Sequence, residues 1–146
     1  EKLVEIGIDR FVPLRCERSE RKELKHDRIE KIAVSAMKQS LKAILPRIDD
    51  TMPLKQFLGE CAVSSNQKFV GYCDADTPRR LLAKAYTTGS DVTLLIGPEG
   101  DFSPAEIKAC LDARFTPVTM GDNRLRTETA ALVAADTIHI ANQIFS

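Results

Sequence analysis

The sequence is poor in the residues that usually build metal or disulfide sites. It has two histidines and four cysteines, Cys16, Cys61, Cys73 and Cys110, with no C-x-x-C spacing. This excludes any familiar zinc site, and nothing in the chain calls for another metal. Thiols so far apart, in a chain able to bury a core, read as reduced and cytoplasmic, not as a disulfide frame. No apolar run approaches the roughly 20 residues of a membrane-spanning helix. The opening Glu1-Lys2-Leu3-Val4-Glu5-Ile6 is charged and amphipathic, unlike a secretory leader. No excess of one charge sign exists either, since 21 basic residues face 21 acidic ones. Any nucleic-acid surface must therefore be local. Repeats and low-complexity stretches are missing, as are G-x-G-x-x-G and G-x-x-x-x-G-K-[ST], so neither a dinucleotide fingerprint nor a phosphate loop is supported.

What is present describes one globular domain over residues 1–146, with 43% hydrophobic and 29% charged residues. Residues 1–6 read as a helix end stopped by Gly7, with no N-cap, so a preceding segment is expected. Residues 10–14 read as a short strand. A charge-rich loop then leads to a helix with Asp27 as its N-cap. The apolar positions Ile29, Ile32, Ala33, Ala36, Met37 and Leu41 fall at helical spacing. Residues 15–47 hold ten basic and five acidic residues, which makes this stretch either a solvated helical face or a basic surface. Further on, the pattern predicts a weak helix at 53–58, strands at 68–73, 91–96 and 116–120, and helices at 77–87 and about 129–144. Ser103-Pro104-Ala105-Glu106 is a complete helix start with a capping box. Strands alternating with helices imply an α/β fold with a mostly parallel sheet.

Open parallel sheets bind ligands beyond the carboxyl ends of their strands. Two such ends carry unusual sequence. Gly97-Pro98-Glu99-Gly100-Asp101-Phe102 follows one strand; it is either a plain turn or a loop whose glycines admit a ligand close to the backbone. Met120-Gly121-Asp122-Asn123-Arg124-Leu125-Arg126-Thr127-Glu128-Thr129-Ala130 follows another. Thr127 or Thr129 can cap the next helix and Glu128 suits its positive end, but capping does not need Arg124 and Arg126. Two guanidinium groups there suit an anion or developing charge. Arg15-Cys16-Glu17-Arg18-Ser19-Glu20-Arg21-Lys22 is a third constellation, by itself a solvated loop. His139 reads as structural or interfacial, and His26 as solvated.

Taken together and in order, Glu17-Arg18-Ser19, Lys38-Gln39-Ser40, Leu95-Ile96-Gly97-Pro98-Glu99-Gly100-Asp101-Phe102-Ser103 and Leu125-Arg126-Thr127-Glu128-Thr129-Ala130 resemble the small-subunit (16S) ribosomal RNA uracil-N3 methyltransferases of the SPOUT superfamily. Glu5-Ile6-Gly7-Ile8 and Phe11-Val12-Pro13-Leu14 resemble that family's first helix and strand. The resemblance implies an α/β domain with helices on both faces of its sheet and a C-terminal trefoil knot. It implies S-adenosylmethionine as cofactor, 16S rRNA or the small ribosomal subunit as partner, and a homodimer. It also implies a PUA-like RNA-binding domain and a first catalytic-domain strand that this chain lacks. Local departures are Asn123 where many members have arginine, Met120 for leucine and Cys16 for serine.

The resemblance assigns cofactor contacts to Tyr72, Ile96, Gly97, Pro98, Glu99, Gly100, Met120, Gly121, Leu125, Arg126 and Thr127, mostly through backbone. Glu99 either bonds a ribose hydroxyl or holds the turn. Arg126 and Arg18 are the candidates to stabilise the uracil anion, and Glu128 is either the base or an orienting partner. RNA contact is expected from Arg18, Arg21, Lys22 and Lys38. The alternatives are a SPOUT enzyme acting on tRNA and a non-catalytic RNA-binding or ribosome-assembly module.

Overall fold

The computed structural model describes residues 1–19, 25–72 and 78–145. Its central element is a four-stranded sheet with spatial order β6-β8-β5-β7, in which every pairing is parallel. The strands are β5 (Gln67–Gly71), β6 (Arg80–Leu81), β7 (Val92–Ile96) and β8 (Thr116–Thr119). Two short parallel pairs lie earlier in the chain. β1 (Arg10–Phe11) pairs with β3 (Arg47–Ile48), and β2 (Leu14–Arg15) with β4 (Met52–Pro53).

Alternation along the strands sends side chains to two cores. On one face Val70 and Leu95 join Leu54, Phe57, Leu58 and Cys61 of α3 (Leu54–Cys61), together with Phe102, Phe115 and Cys110 of α5 (Pro104–Asp112). On the other, Phe69, Leu94, Ile96 and Val118 pack with Leu82 of α4 (Leu82–Ala85), Tyr86, and Ala134 and Ala141 of α6 (Thr127–Phe145). Helices therefore cover both faces, as parallel sheets require. A third cluster joins Val4 of α1 (Lys2–Ile6) to Ala33 and Ala36 of α2 (His26–Gln39) and to Ile48.

Several expected boundaries move. The strand expected at 10–14 is two strands, because Phe11 pairs with Ile48 whereas Leu14 pairs with Met52. Pro13 lies between them and has no N–H for a ladder; its carbonyl accepts from the Met52 N–H at 3.1 Å. The helix expected at 77–87 shrinks to α4, since Arg80 and Leu81 pair with Val118 and Thr119 of β8 and become strand. Tertiary pairing overrides helix propensity there, and Thr77 lies outside the described residues. α2 begins one residue ahead of Asp27, with Lys25 at the N-cap, so Asp27 sits in the first turn and not at the cap. Leu41 is not on the buried stripe: α2 ends at Gln39, and Leu41 is left-handed (φ 59°) and 92% exposed.

The strand order has a consequence for the connections. The chain leaves β5 at Gly71 and enters β6 at Arg80, level with it across Val118. β8 lies between these two strands in the sheet. The segment leaving β8 reaches back over β5 to Gly97, at the end of β7, where the Thr127 hydroxyl donates to the Gly97 carbonyl at 2.9 Å. Both connections thus leave from and return to the carboxyl edge of the sheet.

Candidate active site

Three strand ends meet at this edge. Gly71 is the hub. A Cβ built on it would lie 3.3 Å from Ile96 Cδ1 and 3.3 Å from Met120 Cε, so the ends of β7 and β8 close on it from both sides. The Gly97 N–H continues the ladder by donating to the Gly71 carbonyl at 3.3 Å.

The loop after β7 is then shaped by its own residues. The Asp101 N–H donates to the Pro98 carbonyl at 2.8 Å, closing a β-turn, and Asp101 takes a left-handed φ of 62° that aspartate tolerates. A Cβ on Gly97 would lie 2.8 Å from Asp101 Oδ1, and one on Gly100 would lie 2.8 Å from Arg18 Cβ. Gly100 is thus packed against the main chain of Arg18, whereas Gly97 faces the carboxylate end of Asp101. Gly121 differs: it has φ 139° and nothing within 4 Å of a Cβ position. Its exposed main chain is open to a bound group. The Thr119 hydroxyl holds that turn, donating to the Gly121 carbonyl at 2.7 Å and accepting from its N–H at 3.2 Å.

Thr127 is corrected as well. It is the first residue of α6, and its hydroxyl fastens α6 to Gly97 instead of capping the helix. Arg126 therefore stands next to Gly97, with its carbonyl accepting from the Ala130 N–H at 2.8 Å. At the other end of the loop, Arg18 Nη1 donates to the Gly100 carbonyl at 3.4 Å. Two exposed arginines from opposite ends of the chain thus flank the four residues 97–100. Glu128 is exposed and forms no ion pair among the described residues. Leu125 and Pro98 are half-buried beside the loop, and Glu99 is exposed.

Tyr72 is 5% exposed, so only its main chain is available; its carbonyl accepts from Arg79 Nη1. Arg79 was not foreseen from the sequence, because nothing in an isolated arginine signals a partner seven residues away. The Tyr72 hydroxyl is buried with no hydrogen-bond partner among the described residues. Lys38 is exposed in the last turn of α2, a helix packed against α1 and β3. Arg21 and Lys22 lie outside the described residues. Arg47 leaves the basic surface, because its Nε pairs with Asp49 Oδ1 at 3.0 Å. Asp49 is also clasped by Arg10, whose guanidinium holds the carboxyl below its usual range. His26 is not solvated as expected: its Nε2 lies 2.7 Å from the Ile48 carbonyl. A hollow lined by Lys25, His26, Asp27, Arg28 and Lys31 opens there, away from the strand ends. Cys16, Cys61 and Cys110 are buried free thiols, and burial pushes Cys110 up to about 12.

A parallel sheet covered on both faces, with shaped loops at its carboxyl edge, defines an α/β domain of the ligand-binding kind. Comparison with known proteins narrows this. A family model described as the RNA methyltransferase domain matches residues 1–139, and the chain belongs to that family. It is 31% identical over 134 residues to ribosomal RNA small subunit methyltransferase E of Aquifex aeolicus, covering 88% of this chain and 55% of the relative. It is 28% identical over 160 residues to the Bacillus subtilis protein of the same name, covering 99% and 60%. Among solved structures, a probable rRNA-methyltransferase from Porphyromonas gingivalis superimposes with a TM-score of 0.90 at 45% identity, covering 99% of this chain and 61% of that one. The Neisseria gonorrhoeae ribosomal RNA small subunit methyltransferase E bound to S-adenosyl methionine gives 0.83 at 27% identity, covering 95% and 57%. The chain thus spans little more than half the length of these relatives. No described helix is long and apolar enough to cross a membrane.

Proposed function

We propose that this domain binds S-adenosylmethionine at the carboxyl edge of its sheet and methylates N3 of a uridine in 16S ribosomal RNA. One observation carries the reading: Arg126 and Arg18 flank the loop 97–100 at the meeting point of three parallel strand ends. The cofactor named for the Neisseria gonorrhoeae relative fits that edge. The exposed main chain of Gly121, the half-buried Leu125 and the Ile96–Met120 pair offer backbone polar groups and an apolar wall. When bound, S-adenosylmethionine supplies an electrophilic methyl group on a sulfonium.

The protein's share is alignment, exclusion of water and management of charge. Uracil N3 must lose its imide proton to become nucleophilic, and the negative charge then spreads to the flanking carbonyl oxygens. Arg126 and Arg18 stabilise that charge, and fixed donors of this kind typically contribute about 10²–10³ in rate. Glu128, next to Arg126, orients the guanidinium or accepts the proton. The lysines and arginines exposed on α2, Arg28, Lys31 and Lys38, extend the RNA-facing surface, with Arg21 and Lys22 expected to add to it. On this reading the segments at the carboxyl edge form the C-terminal knot of the SPOUT fold, and the active protein is a cytoplasmic homodimer.

Calorimetric titration with S-adenosylmethionine tests the reading first; a non-catalytic RNA-binding module would take up none. Methyl transfer to small-subunit rRNA against tRNA then separates the two enzyme classes. Arg126→Ala is expected to slow single-turnover transfer by about 10²–10³ with RNA affinity nearly unchanged. A near-normal rate would remove Arg126 from the chemistry.

A further inference from the structure

The Arg18 segment has no regular secondary structure of its own at residues 16–19, yet it is tied down at four points. Cys16 is 5% exposed in the core with Phe102 and Cys110. Its N–H donates to Ser19 Oγ at 3.2 Å, while its carbonyl accepts from the Ser19 N–H at 3.3 Å, closing a turn. The main chain of Arg18 lies against Gly100, with its carbonyl oxygen 3.0 Å from where a Cβ would stand. The fourth tie comes from a residue that local sequence reads only as a helix cap.

Glu106 uses its two carboxylate oxygens for two different partners. Oε1 accepts from the Ser103 N–H at 2.9 Å and completes the capping box of α5. Oε2 accepts from the Glu17 N–H at 3.1 Å, across 89 residues of sequence. An ionised carboxylate has acceptors on both oxygens and no donor, so it serves two N–H groups at once. A capping box needs only the first bond. The second gives the box a job outside its helix, because the loop 97–100 and α5 are joined through Ser103. One side chain therefore fixes the position of Arg18 relative to the loop that Arg18 flanks.

We infer that Glu106 is a positioning residue, whose second carboxylate oxygen holds the Arg18 turn in register over the loop 97–100. Its catalytic importance rests on the function proposed above; the tether itself does not. The consequence is that cap and tether can be separated chemically. Glutamine at 106 has one acceptor oxygen and one N–H₂ group. It can cap Ser103, but it then presents a donor to the Glu17 N–H. Ser103→Ala does the reverse: it removes the hydroxyl that accepts from the Glu106 N–H at 3.2 Å and leaves both carboxylate oxygens in place.

The test compares the two variants by amide hydrogen exchange and by methyl transfer. In Glu106→Gln, exchange at Glu17 is expected to quicken about tenfold, the size of one net hydrogen bond, while Ser103→Ala leaves it unchanged. With 16S rRNA as acceptor, Glu106→Gln is expected to lower kcat about tenfold, with S-adenosylmethionine affinity held within about twofold. Ser103→Ala is expected to keep kcat despite its lower Tm. Unchanged Glu17 exchange in Glu106→Gln overturns the tether. Equal loss of kcat in both variants at equal loss of Tm overturns the positioning role. A wild-type chain that takes up no S-adenosylmethionine counts against the proposed function instead, and the exchange measurement still decides the tether.

Discussion

Glycine shows how one residue type carries opposite meanings at different positions. Gly97 stands where a methyl group would press on Asp101 Oδ1 and on Phe102, which is 1% exposed. Gly59 stands mid-way along α3 with nothing within 4 Å of its Cβ position and no positive φ. Gly97→Ala is therefore expected to lower stability by about 1–3 kcal/mol through overpacking. Gly59→Ala is expected to raise it by about 0.5–1 kcal/mol by restricting the unfolded chain and favouring helix. Urea melts of both variants check the contrast, and a stabilised Gly97→Ala would show that the loop yields easily. The sequence singles out the segment around Gly97 but does not show what either glycine would touch. Only the partners brought in by the turn at 98–101 tell them apart, which is why the loop's importance was legible and the physical reason for its glycines was not.

At the scale of elements, the start of α5 was readable to the residue because its signal is local: Ser103, Pro104 and Glu106 all act within one turn. β6 was misread as helix because its reason for being strand is β8, nearly forty residues later. The same division holds at the site. Arg126 and the loop 97–100 stood out in sequence, whereas the tie from Glu106 to Glu17 depends on a fold that local pattern does not reveal. α2 offers a test at this scale. The Ile48 carbonyl chiefly, with Asp50, Glu30 and Asp27, holds His26 above its usual 6.5, against the cost of drawing the ring partly out of water. A raised histidine stabilises the fold fully below the unfolded value and loses that contribution as pH climbs through the folded one. The gap in Tm between wild type and His26→Leu is thus expected to be widest below about pH 6.5 and to shrink above it. A gap independent of pH would mean that the imidazole acts only as a spacer between α2 and β3.

The whole molecule leaves one helix face unfinished. α6 buries Ala130, Ala134 and Ala141, yet Ile140, Ile144 and Phe145 are 43%, 64% and 74% exposed. Alanines on the sheet side let α6 lie close to β7, and the larger apolar groups are left pointing outward. A second copy of the chain is the occupant expected for that face, in keeping with the proposed homodimer. Light scattering at micromolar concentration is expected to report a dimer, and Ile144→Glu with Phe145→Glu is expected to give a folded monomer. A wild-type monomer at that concentration would discard the dimer and leave α6 as a surface helix.

The tie between Thr127 and Gly97 also sets an order in time. A chain growing from its amino end presents Arg18 first, then residues 97–100, and only much later Thr127. Until β8 arrives, β6 lacks the strand it pairs with, since among the described residues its partner in the sheet is β8 alone. Until Thr127 reaches Gly97, Arg126 has no fixed place beside the loop. A polypeptide interrupted between 107 and 126 thus carries Arg18 and the loop 97–100 but cannot place Arg126 beside them. Completion of synthesis acts as a checkpoint: the arrangement that brings the two arginines together exists only in molecules whose translation has run past residue 127.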